Sequence, residues 1–532
     1  MLSDARDPCN EAILRSRPEV KDCGAKGPWV LAAAILGSSI TFIDGTVVNL
    51  ALPVLQSKLG ASVSEAQWIV ESYALMLASL LLVGGSIGDR LGRKRVFSAG
   101  ALLFGLASAW CGIAPSAIQL IIARGAQGVG AALLVPGSLA LISANFSKQR
   151  RGRAIGTWSA FTSIAAGAGP ILGGWLVETF SWRWIFFINL PLAATVLLIS
   201  WRQVPESRDE QAKGVDFLGG ALATLGLTGI VFGLIESNTR SMTSPVVTVS
   251  IAAGLAALAG FFTVEARRRD PMMPLGLFRS ATFAGANLLT FFLYAALGGI
   301  LFFLPFNLIQ VQGYSPTAAG AALLPFVLTM FLLSRWAGGL VDHFGSKLPL
   351  VVGPLVAAAG FALFALPGPQ AGNYWANFFP AVTVMSLGMA LSVAPLTTTV
   401  MGAVEERHVG VASGINNAVA RTASLLAVAV FGVFLLSSFQ ANLSGRLSAM
   451  PIPPEERARV LGHSGDLANI RIPDTLGKGT QAGIRQAIQE SFVEGFRLVS
   501  WLAAGLAAAS ALASWLLIAG KRGPGQSASA SN

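Results

Sequence analysis

Charge is scarce in this chain. Only 12% of its 532 residues are charged, 53% are hydrophobic, and the mean hydropathy is +0.64. Soluble globular domains carry about 25% charged residues. The composition therefore excludes an ordinary soluble domain and indicates a membrane protein.

Histidine and cysteine are rare, with three of each. The cysteines lack metal-ligand spacing, which argues against a metal site. They are predicted to lie on the inner side of the bilayer or within it, which argues against a structural disulfide. The histidines fall in predicted loops far apart, and no nucleophile has a base at a recognisable spacing, so neither an enzyme nor a cofactor is expected. These residues are Cys9, Cys23, Cys111, His343, His408 and His463.

A phosphate-binding loop of the GxxxxGK[ST] pattern is also absent, because LGKGT at 476–480 lacks the upstream glycine. An ATP-driven pump is therefore excluded, and any transport must use a gradient. The net charge of +11 is explained by basic residues retained on the cytoplasmic side and by anionic lipid there. Nucleic acid is not expected as a partner.

Long apolar runs are what the chain has in quantity. A membrane-crossing helix needs about 20 apolar residues. Fourteen such runs predict an all-α membrane protein with 14 transmembrane helices. The predicted spans are approximately 29–52, 66–88, 95–114, 117–140, 153–177, 183–201, 215–236, 245–265, 282–309, 317–340, 349–367, 375–401, 409–438 and 493–519.

Basic residues cluster in the loops that follow spans 2, 4, 6 and 8, and the alternate loops are nearly bare of them. Basic loops stay in the cytoplasm. Both termini are therefore expected to be cytoplasmic, in a multi-pass protein of the cell (inner) membrane. No cleavable signal is expected, because the first 27 residues are polar and the first apolar run is long enough to remain a span.

A short segment repeats at a distance of 253 residues. GSIGDRLGRK after span 2 has a degraded copy, GGLVDHFGSK, after span 10, so that Gly85 and Asp89 correspond to Gly338 and Asp342. Pro53, which closes span 1, corresponds to Pro305 in span 9 at a distance of 252 residues. The repeats predict an internal duplication, with two six-helix bundles.

Two six-helix bundles leave two helices over, which we interpret as a peripheral insertion because they carry no charge in their cores. The predicted division is a cytoplasmic tail at 1–27, a first bundle at 28–202, the inserted helices with their linkers at 203–270, a second bundle at 271–520 and a cytoplasmic tail at 521–532. Within the second bundle, residues 439–492 are predicted to form an external loop, and its role cannot be read from the sequence.

Several motifs, taken together and in order, resemble those of the major facilitator superfamily, specifically its fourteen-span drug:proton antiporter branch. They are IDGTVVNLALP in span 1, GSIGDRLGRKR between spans 2 and 3, RGAQGVGAALLVP in span 4, GAGPILGG in span 5, WRWIFFINLP at the start of span 6 and MMPLGLFRS before span 9. The resemblance implies two six-helix bundles that rock about a central site by alternating access, with efflux driven by proton entry.

Two of these motifs imply roles for particular residues. The gating motif comprises Gly85, Asp89, Arg90, Gly92, Arg93 and Lys94. By the resemblance it latches the inner face, and a glycine-bounded turn that holds Asp beside Arg can pair with a facing helix end. The antiporter motif comprises Gly167, Gly169, Pro170, Gly173 and Gly174. Its small residues let helices approach closely, and its proline permits a bend. The alternative for the gating motif is that its charges only set the membrane topology. The alternative for the antiporter motif is ordinary tight packing.

Three charged residues lie at one depth in the predicted bilayer. At 1.5 Å per residue, Asp44, Glu71 and Arg124 lie about 12, about 8 and about 9 Å from the outer ends of spans 1, 2 and 4. Charges in hydrocarbon are costly unless they find partners. We predict that Asp44 and Glu71 exchange the coupling proton and that Arg124 sets their affinity. The resemblance supports this role for Asp44 and Arg124 alone. The alternatives are a structural hydrogen bond for Asp44, contact with lipid headgroups for Glu71 and a contact that ties helices together for Arg124.

The substrate cavity is expected to be apolar and aromatic with a few amides, which suits amphipathic molecules. Arg421 lies about 18 Å into span 13 and resembles a basic residue common in this branch. It either pairs with Asp44 across the cavity or attracts an anionic group of the substrate. Acids are missing from the second-half spans, which argues against a dicationic substrate. The candidate cavity residues are Tyr73, Trp158, Phe161, Asn189, Asn287, Tyr294, Asn416, Asn417 and Arg421.

These features predict a secondary active transporter, a proton-coupled antiporter that exports amphipathic small molecules or drugs. Its expected partners are protons, the small-molecule substrate and the lipid bilayer, and it is expected to act as a monomer. An exporter of an endogenous lipid, siderophore or metabolite fits the same residues. A non-transporting membrane sensor fits less well, because charges kept in lipid carry an energetic cost.

Overall fold

The computed structural model describes residues 26–208, 214–268, 271–369, 372–405, 408–472 and 476–519. Within these ranges every regular element is a helix, which confirms the predicted all-α class. The predicted tails lie outside the described residues, apart from Lys26 and Gly27, and so does the side chain of Asp342.

Seven helices form the region predicted as the first bundle, and two more form the insertion. They are α1 (Gly27–Leu59), α2 (Val63–Leu91), α3 (Arg93–Ile113), α4 (Ala117–Asn145), α5 (Lys148–Thr179), the single turn α6 (Trp184–Phe187), α7 (Asn189–Gln203), and the inserted α8 (Phe217–Glu236) and α9 (Pro245–Arg267).

The second region follows a short 3₁₀ helix at Leu275–Arg279. Its elements are α10 (Ala281–Phe306), a π-helical turn (Asn307–Val311), α11 (Pro316–Ala321), α12 (Leu324–Phe344), α13 (Lys347–Leu363), α14 (Tyr374–Asn377), α15 (Phe379–Gly402), α16 (Val409–Ser448), α17 (Pro454–Gly462), a 3₁₀ helix (Ser464–Asn469) and α18 (Lys478–Leu517).

Local sequence signals explain several helix ends. At the start of α2, the Ser62 side chain accepts from the Glu65 N–H and the Glu65 carboxylate accepts from the Ser62 N–H, which satisfies two free backbone donors. Helix α1 ends at Leu59 and is followed by Gly60, whose φ of +62° favours glycine. These two signals shape the tight turn between the first two spans.

Among the described residues, 13 helical segments are long and apolar enough to cross a membrane. The remaining predicted span, 349–367, is occupied by α13, which has only 17 residues. Predicted span 10 is interrupted between α11 and α12, because residues 322 and 323 form a turn. The multi-pass architecture is therefore confirmed, and one of the fourteen predicted spans is a shorter helix.

The two predicted halves show the same pattern of helix packing. In the first half α1 packs on α5 and α7, and α4 packs on α2 and α3. In the second half α10 packs on α16 and α18, and α15 packs on α12 and α13. Two copies of one six-helix unit pack in this way.

The inserted helices α8 and α9 pack mainly on each other, and α8 also contacts α2 and α16. Only 17% of the residues in the apolar stretch of α9 are buried inside the protein, against 61% for α1. This low burial is what a peripheral position in lipid requires.

Residues 439–492, predicted to form an external loop, are largely helical. Helix α16 continues to Ser448 and α18 begins at Lys478, with α17 and a 3₁₀ helix between them. A partly exposed ion pair between Arg446 and Glu490 joins the two extensions. The segment also reaches the first half, because the Gln56 side chain donates to the Asp466 carbonyl at 3.2 Å.

The two halves meet tightly at the end of the molecule that contains Gln56, which the predicted orientation places outside. Gln310 donates to Gln56 Oε1 at 2.9 Å, and the Thr317 N–H donates to Glu178 at 3.0 Å. These hydrogen bonds close the predicted outer end. At the opposite end, a Cβ added to Gly156 in α5 or to Gly339 in α12 would meet no described atom within 4 Å, so neither glycine packs closely on a neighbouring helix.

Candidate functional site

Asp44 of α1 and Arg124 of α4 form an ion pair within the helix bundle. The Arg124 Nη1 donates to Asp44 Oδ2, and each residue is only 1% exposed. A buried charge persists when a partner of opposite sign compensates it. Asp44 and Arg124, which the sequence predicts at one depth, are therefore partners.

Three polar side chains complete the shell around this pair. Gln127 and Asn189 donate to Asp44 Oδ1 at 2.8 and 3.0 Å, and both also donate to the Ser108 hydroxyl. Ser108 in turn donates to the Phe186 carbonyl at 2.9 Å. We call Asp44, Arg124, Gln127, Asn189 and Ser108 the polar cluster; it joins α1, α3, α4 and α7.

Arg124 is held on its other sides as well. Its Nε donates to the Ile69 carbonyl at 3.1 Å, and its guanidinium carbon lies 4.2 Å from the centre of the Tyr73 ring. The Tyr73 hydroxyl donates to the Thr41 carbonyl at 3.2 Å. A cation over an aromatic face is stabilised further when water is excluded, so Tyr73 supports the arginine.

Sequence reasoning missed Gln127 and Ser108. Gln127 follows Arg124 by three residues and shares its helix face, so its place beside the ion pair was readable from the spacing. Ser108 gave no signal, because a single serine in an apolar span most often bonds to its own helix.

Glu71 lies outside the polar cluster, which corrects the expectation that it shares Arg124 with Asp44. It is buried, and within the described residues its Oε2 has no hydrogen-bond partner. Four residues before it, Gln67 donates to the Val428 carbonyl at 3.0 Å; four residues after it, Leu75 packs with Leu425 of α16. Residues four apart share a helix face, so Glu71 lies on the face of α2 that packs against α16.

The gating motif is engaged within its own half. Arg93 bonds to Asp89 at 2.8 Å, and Glu206, after α7, accepts from the backbone N–H groups of Lys94 and Arg95 at 3.0 and 3.2 Å. Among the described residues, no ion pair joins this motif to the second half. The described partners of this motif thus belong to the first half, and among them Glu206 is one that sequence reasoning missed.

The antiporter motif forms a close-packed seam along α5. A Cβ added to Gly169 would lie 1.9 Å from Thr46 Oγ1, and one added to Gly174 would lie 2.4 Å from the Pro316 carbonyl oxygen. Gly320 of α11 is similarly close to the Pro170 carbonyl, at 2.3 Å. The remaining motif positions, Gly167 and Gly173, face Val327 and Val47. Only glycine allows these approaches, so the seam joins α5 to α1 and to the second half.

The candidate cavity residues divide into three groups. Tyr73 and Asn189 belong to the Asp44 surroundings and are buried there. Asn416 donates to Asn287 at 3.3 Å and to Thr290 at 2.7 Å, which ties α16 to α10. The others are Trp158, whose indole donates to Ser38 at 3.1 Å, Phe161, which is 53% exposed, Asn417, which is exposed, and the half-buried Tyr294 and Arg421.

Removal of the Gln127 amide is expected to weaken transport. In Gln127→Leu, Asp44 loses a 2.8 Å donor and Ser108 loses a second one, at about 1 kcal/mol for each bond. We expect about a tenfold lower transport rate at subsaturating substrate. Gln119→Leu, on the exposed start of the same helix, is the matched control and should change the rate less than twofold. Equal effects of both variants would contradict a role for the polar cluster.

Solved structures share this architecture. A bacterial homologue of the human lysosomal transporter Spinster, in an inward-facing unoccupied conformation, has a TM-score of 0.62 at 18% identity, covering 92% of this chain and 98% of its own. A D-xylose–proton symporter has a TM-score of 0.57 at 15% identity, with coverage of 92% and 98%. At these identities the likeness concerns the fold alone.

Sequence relatives are more similar. The multidrug resistance protein Stp of Mycobacterium tuberculosis is 34% identical over 498 residues, 91% of each chain. The tetracenomycin C resistance and export protein of Streptomyces glaucescens is 31% identical over 502 residues, 92% of this chain and 91% of its own. The puromycin resistance protein of Streptomyces alboniger is 33% identical over 434 residues, 80% and 86% of the two chains.

A sequence profile of the Major Facilitator Superfamily matches residues 34–428, which include the polar cluster, the gating motif and the seam. Such proteins are transporters, which confirms that this chain is not an enzyme. The chain is a multi-pass membrane transporter that belongs to the Major Facilitator Superfamily.

Proposed function

We propose that this protein is a proton-coupled antiporter that exports amphipathic small molecules, drugs among them, by alternating access. The observation that carries the proposal is the buried Asp44–Arg124 pair and its shell of amide and hydroxyl donors. The names of its sequence relatives, which include a multidrug resistance protein and an antibiotic export protein, support the same class of cargo.

The polar cluster has the chemistry of a proton-exchange site. With the outer end closed, Arg124, Gln127 and Asn189 all donate to the Asp44 carboxyl group, which accepts on both oxygens. Protonation of Asp44 removes the attraction to Arg124 and leaves an unpaired guanidinium in a water-poor site, which is costly. The two protonation states therefore favour different packing of α1 against α4.

The position of Asp44 links this chemistry to the seam. Thr46 and Val47, two and three residues after it on α1, pack against Gly169 and Gly173 of α5. The same stretch of α5 packs on Pro316 and Gly320 of the second half. A shift of α1 that follows protonation thus acts directly on the contact that closes the predicted outer end.

Glu71 is proposed as a second proton carrier at the interface of α2 and α16. Its partnerless oxygen is buried there, so its proton can leave only when these helices separate. Glu71→Gln is expected to lower the ratio of protons to substrate moved while the substrate rate falls less than about tenfold. Both fluxes are measured together in proteoliposomes, and an unchanged ratio would remove Glu71 from the coupling.

The proposed function is tested by substrate-driven proton flux. Purified protein is reconstituted in proteoliposomes that contain a pH-sensitive dye, a proton gradient is imposed, and lipophilic cations, neutral drugs and amphipathic anions are added in turn. We expect at least one class to elicit proton movement above that of empty liposomes. Uptake of a compound with no proton movement would contradict antiport and leave only the transporter assignment.

A further inference from the structure

Among the described residues, Arg421 is a cation without a carboxylate partner, in the first third of α16. The helix begins at Val409, so Arg421 lies about 18 Å along it. Between residues 271 and 454 the sequence holds only three acids, Asp342, Glu405 and Glu406, all at or beyond the ends of α12 and α15. The two carboxylates of α18, Glu490 and Glu494, pair with Arg446 and Arg497. Within the described residues, the second half therefore supplies no free counter-charge for Arg421.

The first half does not supply one either. Both oxygens of Asp44 are already bonded within the polar cluster. Across the described residues, Arg421 makes no hydrogen bond and no ion pair, and its recorded ring contact is with Phe42, whose centre lies 6.0 Å from the guanidinium carbon. A cation–π contact at about 6 Å is at the outer limit of its range and cannot offset the loss of water around a guanidinium.

The surroundings of Arg421 are aromatic and come from both halves. Besides Phe42 of α1, Tyr73 of α2 and Tyr294 of α10 are close enough to interact with it electrostatically. Phe42, Tyr294 and Arg421 are each only partly buried, and Asn417, one turn before Arg421, is exposed. Arg421 is thus partly accessible as a residue and lies beside flat apolar surfaces contributed by both halves.

We propose that Arg421 is the anion-binding residue of the transport site and that the substrates are amphipathic monoanions. The guanidinium fork matches a carboxylate or a similar planar anion through two parallel hydrogen bonds. The apolar part of the molecule then lies against Phe42 and Tyr294. This inference rests on the proposed export function and adds to it the charge of the cargo.

A different role for Arg421 is pairing with Asp44 in another conformation. The two roles predict different behaviour of Asp44→Asn. If Arg421 serves the substrate, anion binding survives this change; if it serves Asp44, the loss of the carboxylate leaves Arg421 free and strengthens anion binding.

The test uses equilibrium binding of three matched probes to the purified protein: naphthalene-2-carboxylate, naphthalene-2-carboxamide and 2-(aminomethyl)naphthalene. We expect the carboxylate to bind at least about tenfold more tightly than the other two, the gain typical of charge-assisted hydrogen bonds. Arg421→Gln should remove this advantage, and Arg421→Lys should keep part of it. Arg153→Gln, at an exposed arginine of α5, is the control and should leave all three affinities within about twofold.

Three results would overturn the inference: no preference for the carboxylate in the wild type, equal weakening of all three probes by Arg421→Gln, or stronger carboxylate binding in Asp44→Asn. Binding needs no proton flux, so the two proposals fail separately. If the carboxylate binds through Arg421 but no compound drives proton flux in the proteoliposomes, antiport is refuted and the anion site stands. If cations alone drive proton flux, antiport stands and the anion site is refuted.

Discussion

Asp44→Asn is expected to lower substrate-driven proton flux by at least about a hundredfold. The substitution removes the charge that compensates Arg124 and leaves a guanidinium buried in a site that is 1% exposed. Removal of one partner of a buried ion pair costs about 3–5 kcal/mol, which exceeds the roughly 2.8 kcal/mol of a hundredfold change. The measurement is dye-reported flux in proteoliposomes, compared at equal protein content.

A second variant separates loss of coupling from loss of fold. Asp44→Asn destabilises the protein for the same reason that it blocks flux, so its thermal unfolding temperature should also fall. The double variant Asp44→Asn/Arg124→Gln has no unpaired charge, and neutral replacement of a buried pair is often harmless to stability. We expect its unfolding temperature to recover while flux stays absent. Recovery of flux in the double variant would show that the ion pair is structural only.

Gly174→Ala is expected to open the predicted outer end of the molecule. The new methyl group would lie 2.4 Å from the Pro316 carbonyl oxygen and 2.8 Å from the Thr317 Cα. Both are backbone atoms, so neither can rotate away, and α5 must separate from α11. Because packed interfaces change between discrete arrangements rather than stretch, we expect loss of the closed state and at least about a tenfold lower transport rate.

The opening can be followed at Gln56, which is 1% exposed at the outer end of α1. With Cys9 and Cys23 replaced by serine and the buried Cys111 retained, Gln56→Cys should react with a membrane-impermeant maleimide at least about tenfold faster in the Gly174→Ala background. Gly156→Ala lies on the same helix, where an added methyl meets nothing within 4 Å. It should leave labelling unchanged, since alanine suits a helix better than glycine. Equal labelling in both backgrounds would show that the seam does not close the outer end.

The contrast between Asp44 and Glu71 shows what depth alone can predict. A rise of 1.5 Å per residue placed Asp44, Glu71 and Arg124 in one slab, and the structure pairs Asp44 with Arg124. Depth leaves the rotation of each helix undetermined, and Glu71 lies on the face of α2 that packs against α16. The neighbours Gln67 and Leu75 define that face only after the position of α16 is known.

Other departures have equally local causes. Helices α16 and α18 continue beyond their apolar spans because buried side chains such as Leu443 and Ile484 pack the extensions into one core, and an ion pair between Arg446 and Glu490 joins them. Glu206 lies in a linker whose composition is that of any loop, so its bonds to the N–H groups of Lys94 and Arg95 were not predictable. The glycines of α5 were predictable as close contacts, but their partners on α1 and α11 required the fold.

The central claim, that proton and substrate alternate at a site controlled by Asp44, is tested most directly by proton release on binding. Purified protein in weak buffer with a pH indicator is mixed with the compound that elicits the largest flux in proteoliposomes, in the wild type, in Asp44→Asn and in Gln119→Leu as the control. The account predicts that binding releases protons from the wild type and the control and none from Asp44→Asn. Equal proton release from all three proteins would contradict it and place the exchanging group elsewhere.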